Sequence, residues 1–369
     1  MTTSSQQPAP YSPTFLTLHE IVQKARQKLN HDNWDYIVGG TETETTVSRN
    51  RAAIDSLAFK PRVLRDVSRV DTGTRFLGRD LKLPVLLAPV GSLEVFAEGA
   101  GATSSIAAGR YGVAHMLSSV CQPGIEATAA AAPDTLKIFQ LYVHGDANWV
   151  DDLAARTMAA GYGAFCLTVD TAHYSRRERD SAKRNIRRSV VPGREFQPTL
   201  TWKDVDRLKS KLTIPLILKG IATAEDAAMA VEHGVDMVYV SNHGGRQLDH
   251  DRGSLAVLPE VVQAVNGRAQ VIVDGGFNRG TDIVKAIALG ASMVGLGRMQ
   301  CYGLAANGAD GVVRMLEILQ DEVRICMGLL GVNTLSELNP SYVQAASPTG
   351  PSSALSAFPH LSLDEKAFY

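Results

Sequence analysis

Cysteine is scarce in this chain: four residues in 369, Cys121, Cys166, Cys301 and Cys326, with no C-x-x-C pair and no histidine cluster at metal-ligand spacing. That scatter argues against a metal site and against a disulfide framework, and it predicts a reducing, cytoplasmic setting. An excess of one charge is also missing. Lys and Arg number 37, Asp and Glu 38, for a net charge of −1, so neither nucleic acid nor an anionic membrane is expected as a partner. No apolar run approaches the ~18 residues of a membrane helix. Residues 1–13 are rich in Ser, Gln and Pro without the apolar centre of a signal peptide, and Ala367-Phe368-Tyr369 is not a peroxisomal address. No G-x-G-x-x-G follows an apolar run, which argues against a nicotinamide cofactor in a dinucleotide crevice.

What is present is a regular alternation. Short runs rich in Val, Ile and Leu predict strands at 84–91, 115–119, 137–143, 164–170, 215–220, 237–242, 271–276 and 293–298. Between them lie Ala-rich or amphipathic stretches such as 97–111, 148–160, 223–233 and 279–289. Strand followed by helix implies a parallel sheet with helical crossovers. An open doubly wound sheet and a closed (β/α)8 TIM barrel share that signature. Polar or glycine residues end nearly every strand, and a full ring of such ends favours the barrel, whose active site is built on its C-terminal rim. Residues 14–59 predict two or three short helices with a turn at Gly39-Gly40, and 309–328 a further helix. We expect one barrel domain over 14–345, including the N-terminal helices, between tails at 1–13 and 346–369.

Asp274-Gly275-Gly276 and Gly297-Arg298 end strands seven and eight. Barrels commonly hold a phosphate between these loops, where backbone N–H groups approach and a guanidinium makes paired hydrogen bonds; glycines there also serve as plain turn residues. Arg298 is the chief candidate phosphate ligand. The most informative stretch is Ser241-Asn242-His243-Gly244-Gly245-Arg246-Gln247-Leu248-Asp249. It sets a titratable base and a fixed cation on one tight turn at the end of strand six.

This stretch resembles the signature of the FMN-dependent 2-hydroxy-acid oxidase family, which includes glycolate oxidase, lactate oxidase, lactate monooxygenase, mandelate dehydrogenase and the flavin domain of flavocytochrome b2. The resemblance runs from about Trp34 to about Cys326. It implies FMN as cofactor, a small (S)-2-hydroxy acid as substrate, a 2-oxo acid as product, and a homo-oligomer, a tetramer in the family. It also implies roles. His243 is the base, Asp170 the carboxylate that supports it, and Arg246 and Arg177 the substrate-carboxylate clamps. Tyr36 meets the substrate carboxylate, Tyr142 the substrate hydroxyl, and Lys219 the flavin edge that becomes negative on reduction. Ser118, Gln140 and Thr168 contact the ring, Ser241 makes a further cofactor contact, and Ala88-Pro89-Val90-Gly91 lies against the ring near N5.

Three positions depart from the commonest pattern. Gly91 stands where glycolate and lactate oxidases have alanine and where mandelate dehydrogenase and lactate monooxygenase have glycine, which leaves the electron acceptor open. Val120 replaces a bulky tryptophan of glycolate oxidase and predicts room for a larger substrate side chain. Asn278 occupies the place of a phosphate-binding arginine, so the expectation shifts to Arg298, to backbone, or to Arg279. The long connection 171–200, with Lys183, Arg184, Arg187, Arg188 and Arg194, reads as a lid or as a solvated loop. Two other functions stay open: an oxidative, decarboxylating lactate monooxygenase, and a barrel that binds flavin without turnover.

Overall fold

Residues 14–184 and 194–361 are described by the computed structural model of the chain. Residues 1–13, 185–193 (with Arg187 and Arg188) and 362–369 lie outside the described residues. Eight parallel strands close into a barrel. In chain order they are β1 (Val85–Leu87), β2 (Ala114–Ser118), β3 (Lys137–Leu141), β4 (Ala164–Thr168), β5 (Leu216–Ile221), β6 (Met237–Val240), β7 (Gln270–Val273) and β8 (Met293–Leu296). Strand β8 returns to pair with β1, setting Val294 opposite Val85 and Leu296 opposite Leu87. That last ladder is what separates a barrel from an open sheet.

Side chains alternate along each strand, and the alternation builds two cores. Inward residues such as Leu86, Met116, Ile138, Ile217 and Ile272 pack inside the barrel. Outward residues such as Val85, Leu117, Leu218 and Val273 pack beneath the helices. Strands buried on both faces read as continuous apolar runs. A short hairpin that the sequence reading missed, Thr74–Phe76 with Arg79–Leu81, inserts Phe76 and Leu81 into the inner cluster.

The strands stop short of their expected ends: β1 at Leu87, β6 at Val240 and β7 at Val273. At the rim the backbone leaves the ladder to present polar groups. The Asp274 N–H still donates to the Val240 carbonyl at 3.1 Å, and the next two residues turn away. Expected helices are found at Ala100–Tyr111, Ala147–Ala159, Ala224–Glu232 and Gly280–Ala288, with others at Ile125–Ala131, Trp202–Lys211 and Ser254–Val265. The helix expected at 309–328 is the second half of Arg298–Leu330, which breaks at Asn307 and Gly308. Three helices, Leu18–Lys28, His31–Val38 and Thr45–Asp55, precede the barrel.

Residues 346–361, expected as a tail, fold back on the barrel. Phe358 is buried, edge-on to the His19 ring at 5.8 Å and to the Tyr302 ring at 6.5 Å.

Candidate active site

A cavity of about 310 Å³ opens at the C-terminal rim, where barrel enzymes build their chemistry from strand ends. His243, Arg177, Arg246, Tyr36, Tyr142 and Lys219 all line it. Five distant stretches of sequence therefore meet at one place.

His243 follows β6 in a left-handed backbone conformation, φ 60°, an unfavourable choice for a residue with a Cβ. Its N–H donates to Ser241 Oγ at 3.1 Å. Its Nδ1 lies 3.1 and 3.2 Å from the two Asp170 oxygens, and its Nε2 lies 2.8 Å from the Tyr142 hydroxyl. A carboxylate at Nδ1 selects the tautomer protonated there, which leaves Nε2 as the acceptor and Tyr142 as the donor. Burial pushes the His243 pKa down; Asp170 opposes this and Lys219 adds to it. Burial would raise the Asp170 carboxyl, but the His243 imidazole and the Lys219 ammonium hold it below its ordinary value. Burial and the nearby Asp170 charge push the Tyr142 phenol upward, so it stays a donor.

Gly220 makes this arrangement possible. It has φ 110° at a register irregularity of β5, and a Cβ there would lie 2.6 Å from Asp170 Cβ. Beside it, Lys219 Nζ donates to Ser241 Oγ at 2.9 Å and stands 3.7 Å from Asp274 Oδ2, while Ser241 Oγ donates to Asp274 Oδ1 at 2.6 Å. Burial works against the Lys219 charge, yet Asp274 and Asp170 keep its pKa above the ordinary value.

Arg246 Nη1 donates to the Tyr36 and Gly39 carbonyls, and its guanidinium lies 4.7 Å from the Tyr36 ring centre. Its Nη2 is buried with no partner among the described residues. Burial, then the like charge of Arg177, lowers the Arg246 pKa. Arg177 stacks on Tyr174 at 4.6 Å. Two guanidiniums with an unmet buried donor form a site for a small anion. The Tyr36 hydroxyl donates to the Gly91 carbonyl at 3.2 Å. A Cβ on Gly91 would lie 2.8 Å from Val120 Cγ2, so these two divergent positions touch.

Ala88, Pro89, Val90, Gly91, Asp274, Gly275, Gly276, Asn278, Gly297 and Arg298 line the cavity as well. Ser118, Gln140, Thr168 and Ser241 are buried at the strand ends; Gln140 Nε2 donates to Thr168 Oγ1 at 2.7 Å, and Gln140 Oε1 has no partner among the described residues. Arg298 donates to three carbonyls, of Ile37, Gly244 and Gly39, which leaves two of its five N–H groups. Arg279 does not join the cavity lining; its guanidinium is held by Glu322. The ends of the 171–200 connection are tethered: Arg179 pairs with Glu44 and Asp35, and buried Gln197 donates to the Thr168 carbonyl at 2.8 Å and accepts the Val143 N–H at 2.7 Å.

Asn50 and Arg51 are among the lining residues that escaped the sequence reading. Asn50 exchanges amide hydrogen bonds of 2.9 and 2.8 Å with Asn242, fixing the start of the turn that carries His243. Arg51 bonds Asp282 at 2.6 and 3.0 Å and the Gly276 carbonyl at 3.2 Å. No local pattern signals either, because their partners lie about two hundred residues away.

A family model described as FMN-dependent dehydrogenase matches residues 25–191 and 182–345. The chain is 38% identical over 359 residues to an L-lactate oxidase from Nostoc sp., covering 89% of this chain and 98% of that one. It is 38% identical over 354 residues to glycolate oxidase from Spinacia oleracea, covering 89% and 95%. The solved structure of a mandelate oxidase variant with (S)-mandelic acid matches with a TM-score of 0.84 at 36% identity, covering 90% of this chain and 99% of that one. Similarity of that extent, on a closed barrel whose rim gathers a supported imidazole and two guanidiniums, leaves one assignment: the chain belongs to the FMN-dependent dehydrogenase family.

Proposed function

We propose that this enzyme oxidises a small (S)-2-hydroxy acid to the 2-oxo acid, with FMN as its cofactor, His243 as base and Arg177 and Arg246 gripping the substrate carboxylate. One observation carries the reading: an imidazole backed by a carboxylate, its Nε2 accepting the Tyr142 hydroxyl, faces the same cavity as two guanidiniums, one with an unmet buried donor.

The donor set fits FMN. Gln140 Oε1 is a buried acceptor without a protein partner, suited to a ring N–H. The N–H groups of Gly275, Gly276 and Phe277 have no protein acceptor among the described residues, suited to a phosphate between the β7 and β8 loops together with Arg298. When bound, FMN supplies the acceptor for two electrons and for the second proton that the oxidation releases. The chain's residues do the rest. Arg177 and Arg246 orient the substrate by its carboxylate, with Tyr36 beside them. His243 Nε2 takes a proton from the substrate, and Tyr142 turns its hydroxyl from the imidazole to the substrate oxygen. Asp170 stabilises the imidazolium that forms. Lys219 offers a fixed cation for the charge that reduction places on a flavin.

Anaerobic mixing with glycolate, lactate, mandelate and longer 2-hydroxy acids tests this. An (S)-acid should bleach the flavin and give the 2-oxo acid, its (R)-enantiomer should not, and failure of every acid to bleach it would refute the reading. With Val120 small, larger acids should be accepted. Readmitting air identifies the acceptor, and a shortened acid as product would instead mark a decarboxylating monooxygenase. We further propose a cytoplasmic homotetramer, consistent with four buried free thiols and with the exposed apolar side chains of Val63, Leu64 and Leu329; mass measurement in solution and cell fractionation test these two points.

A further inference from the structure

We infer that the C-terminal segment 351–358 straps the phosphate end of FMN, with the Ser353 hydroxyl and the Ala354 N–H as phosphate ligands. This rests on the reading above that seats the phosphate between the β7 and β8 loops.

Ser353 and Ala354 line the same cavity as Gly276 and Asn278. A short chain of contacts joins the strap to that loop: the Gly276 carbonyl accepts from Arg51 Nη1 at 3.2 Å, Arg51 Nε donates to Asp55 Oδ1 at 2.9 Å, and Ser352 Oγ donates to Asp55 Oδ2 at 3.1 Å. Phe358, buried against His19 and Tyr302, anchors the far end. Between the anchors the backbone is held in a turn. The Ser353 N–H donates to Ser356 Oγ at 3.0 Å, Ser356 Oγ donates to the Ser353 carbonyl at 3.0 Å, and the Leu355 N–H donates to Ser353 Oγ at 3.3 Å. Ser353 Oγ is therefore an acceptor inside the turn, and its own proton is left for a ligand. The Ala354 N–H has no protein acceptor among the described residues.

Charge makes such donors useful. Asn278 is neutral where the family resemblance expects an arginine. Arg279 is committed to Glu322, and Arg51 is offset by Asp282 and Asp55. Arg298 remains, with part of its donor set already spent on carbonyls. A phosphate at this end must therefore take much of its coordination from uncharged N–H and O–H groups, and the strap brings two of them to the cavity from outside the barrel.

The test strips the full chain of flavin and titrates it with FMN and with riboflavin, following fluorescence quenching. Ser353→Asp should weaken FMN roughly fivefold and Ser353→Lys tighten it by about as much, as one charge near a partly solvated anion allows. Riboflavin, which lacks the phosphate, should bind all three proteins alike, and the melting temperatures of the flavin-free proteins should match. Equal shifts for both flavins, or no shift for either, would overturn the inference. Arg298→Gln separates it from the reading beneath it. If Arg298→Gln weakens FMN but not riboflavin while the Ser353 variants do nothing, the strap alone fails; if no variant discriminates, the seat of the phosphate fails with it.

Discussion

His243 holds a backbone conformation that costs on the order of 1 kcal/mol, and its surroundings determine it from three sides: Ser241 at its N–H, Asp170 at Nδ1 and Tyr142 at Nε2. As the proposed base, an imidazole fixed in this way needs no rearrangement to meet a substrate held by the proposed clamps Arg177 and Arg246. Its pH behaviour follows from its neighbours. For the proposed role as base the imidazole must be neutral, and burial sets its pKa below the ordinary 6.5 against the opposing pull of Asp170. Activity should therefore rise with pH through a midpoint below 6.5 and level off by neutrality. Asp170→Asn removes the group that raises this pKa, so the acid limb of kcat/KM should move to still lower pH. The imidazolium also loses its support, and kcat should fall by about 10²- to 10⁴-fold. An unchanged limb with unchanged kcat would show that the carboxylate is only structural.

Among the elements, the helix Thr45–Asp55 does most to join the site to the barrel. Asn50 closes on the turn after β6, and Arg51 reaches the loop after β7 and the helix beyond it. The Arg51–Asp282 pair is nearly inaccessible, with side chains 6% and 2% exposed, and burial notwithstanding, Asp282 raises the Arg51 pKa further above its ordinary value. Removing Asp282 leaves the buried Arg51 charge only the part-exposed Asp55 as partner and frees the Asn278 and Arg279 N–H groups, so Asp282→Ala should cost about 2–3 kcal/mol, read by denaturant unfolding. Replacing both partners with apolar residues should recover much of that loss. The barrel strands were legible because β1 to β8 are apolar on both faces and end in polar residues, a pattern written over a few neighbours. The residues of the Ser241–Asp249 stretch were legible because His243 and Arg246 sit on one turn. Arg51 and Asn50 were not, since what identifies them is a partner 231 or 192 residues away. The strap was hidden for another reason: its Ser, Pro and Ala composition reads as a tail, and only docking of Phe358 reveals a bound segment.

Across the whole molecule, pH acts on stability as well as on the site. His115, on β2, is fully buried with neither ring nitrogen partnered among the described residues. Burial, with the nearby Lys137 charge, pushes its pKa down to about 3. Between 6.5 and that value the unfolded chain binds a proton that the folded chain refuses, so stability should fall as the pH drops through this window. Replacing His115 with leucine should flatten that slope, measured as melting temperature against pH; an unaltered slope would assign the acid sensitivity to other groups.

The proposed chemistry requires an imidazole, two guanidiniums and a flavin to meet over one substrate. Anaerobic stopped-flow reduction of the His243→Ala holoenzyme probes that meeting most directly, using the (S)-acid that bleaches the parent fastest. The variant should keep its yellow FMN and still bind the acid, with flavin reduction slowed by at least about a hundredfold. Reduction at the parent rate would contradict the assignment of the base and, with it, the chemistry built around this cavity.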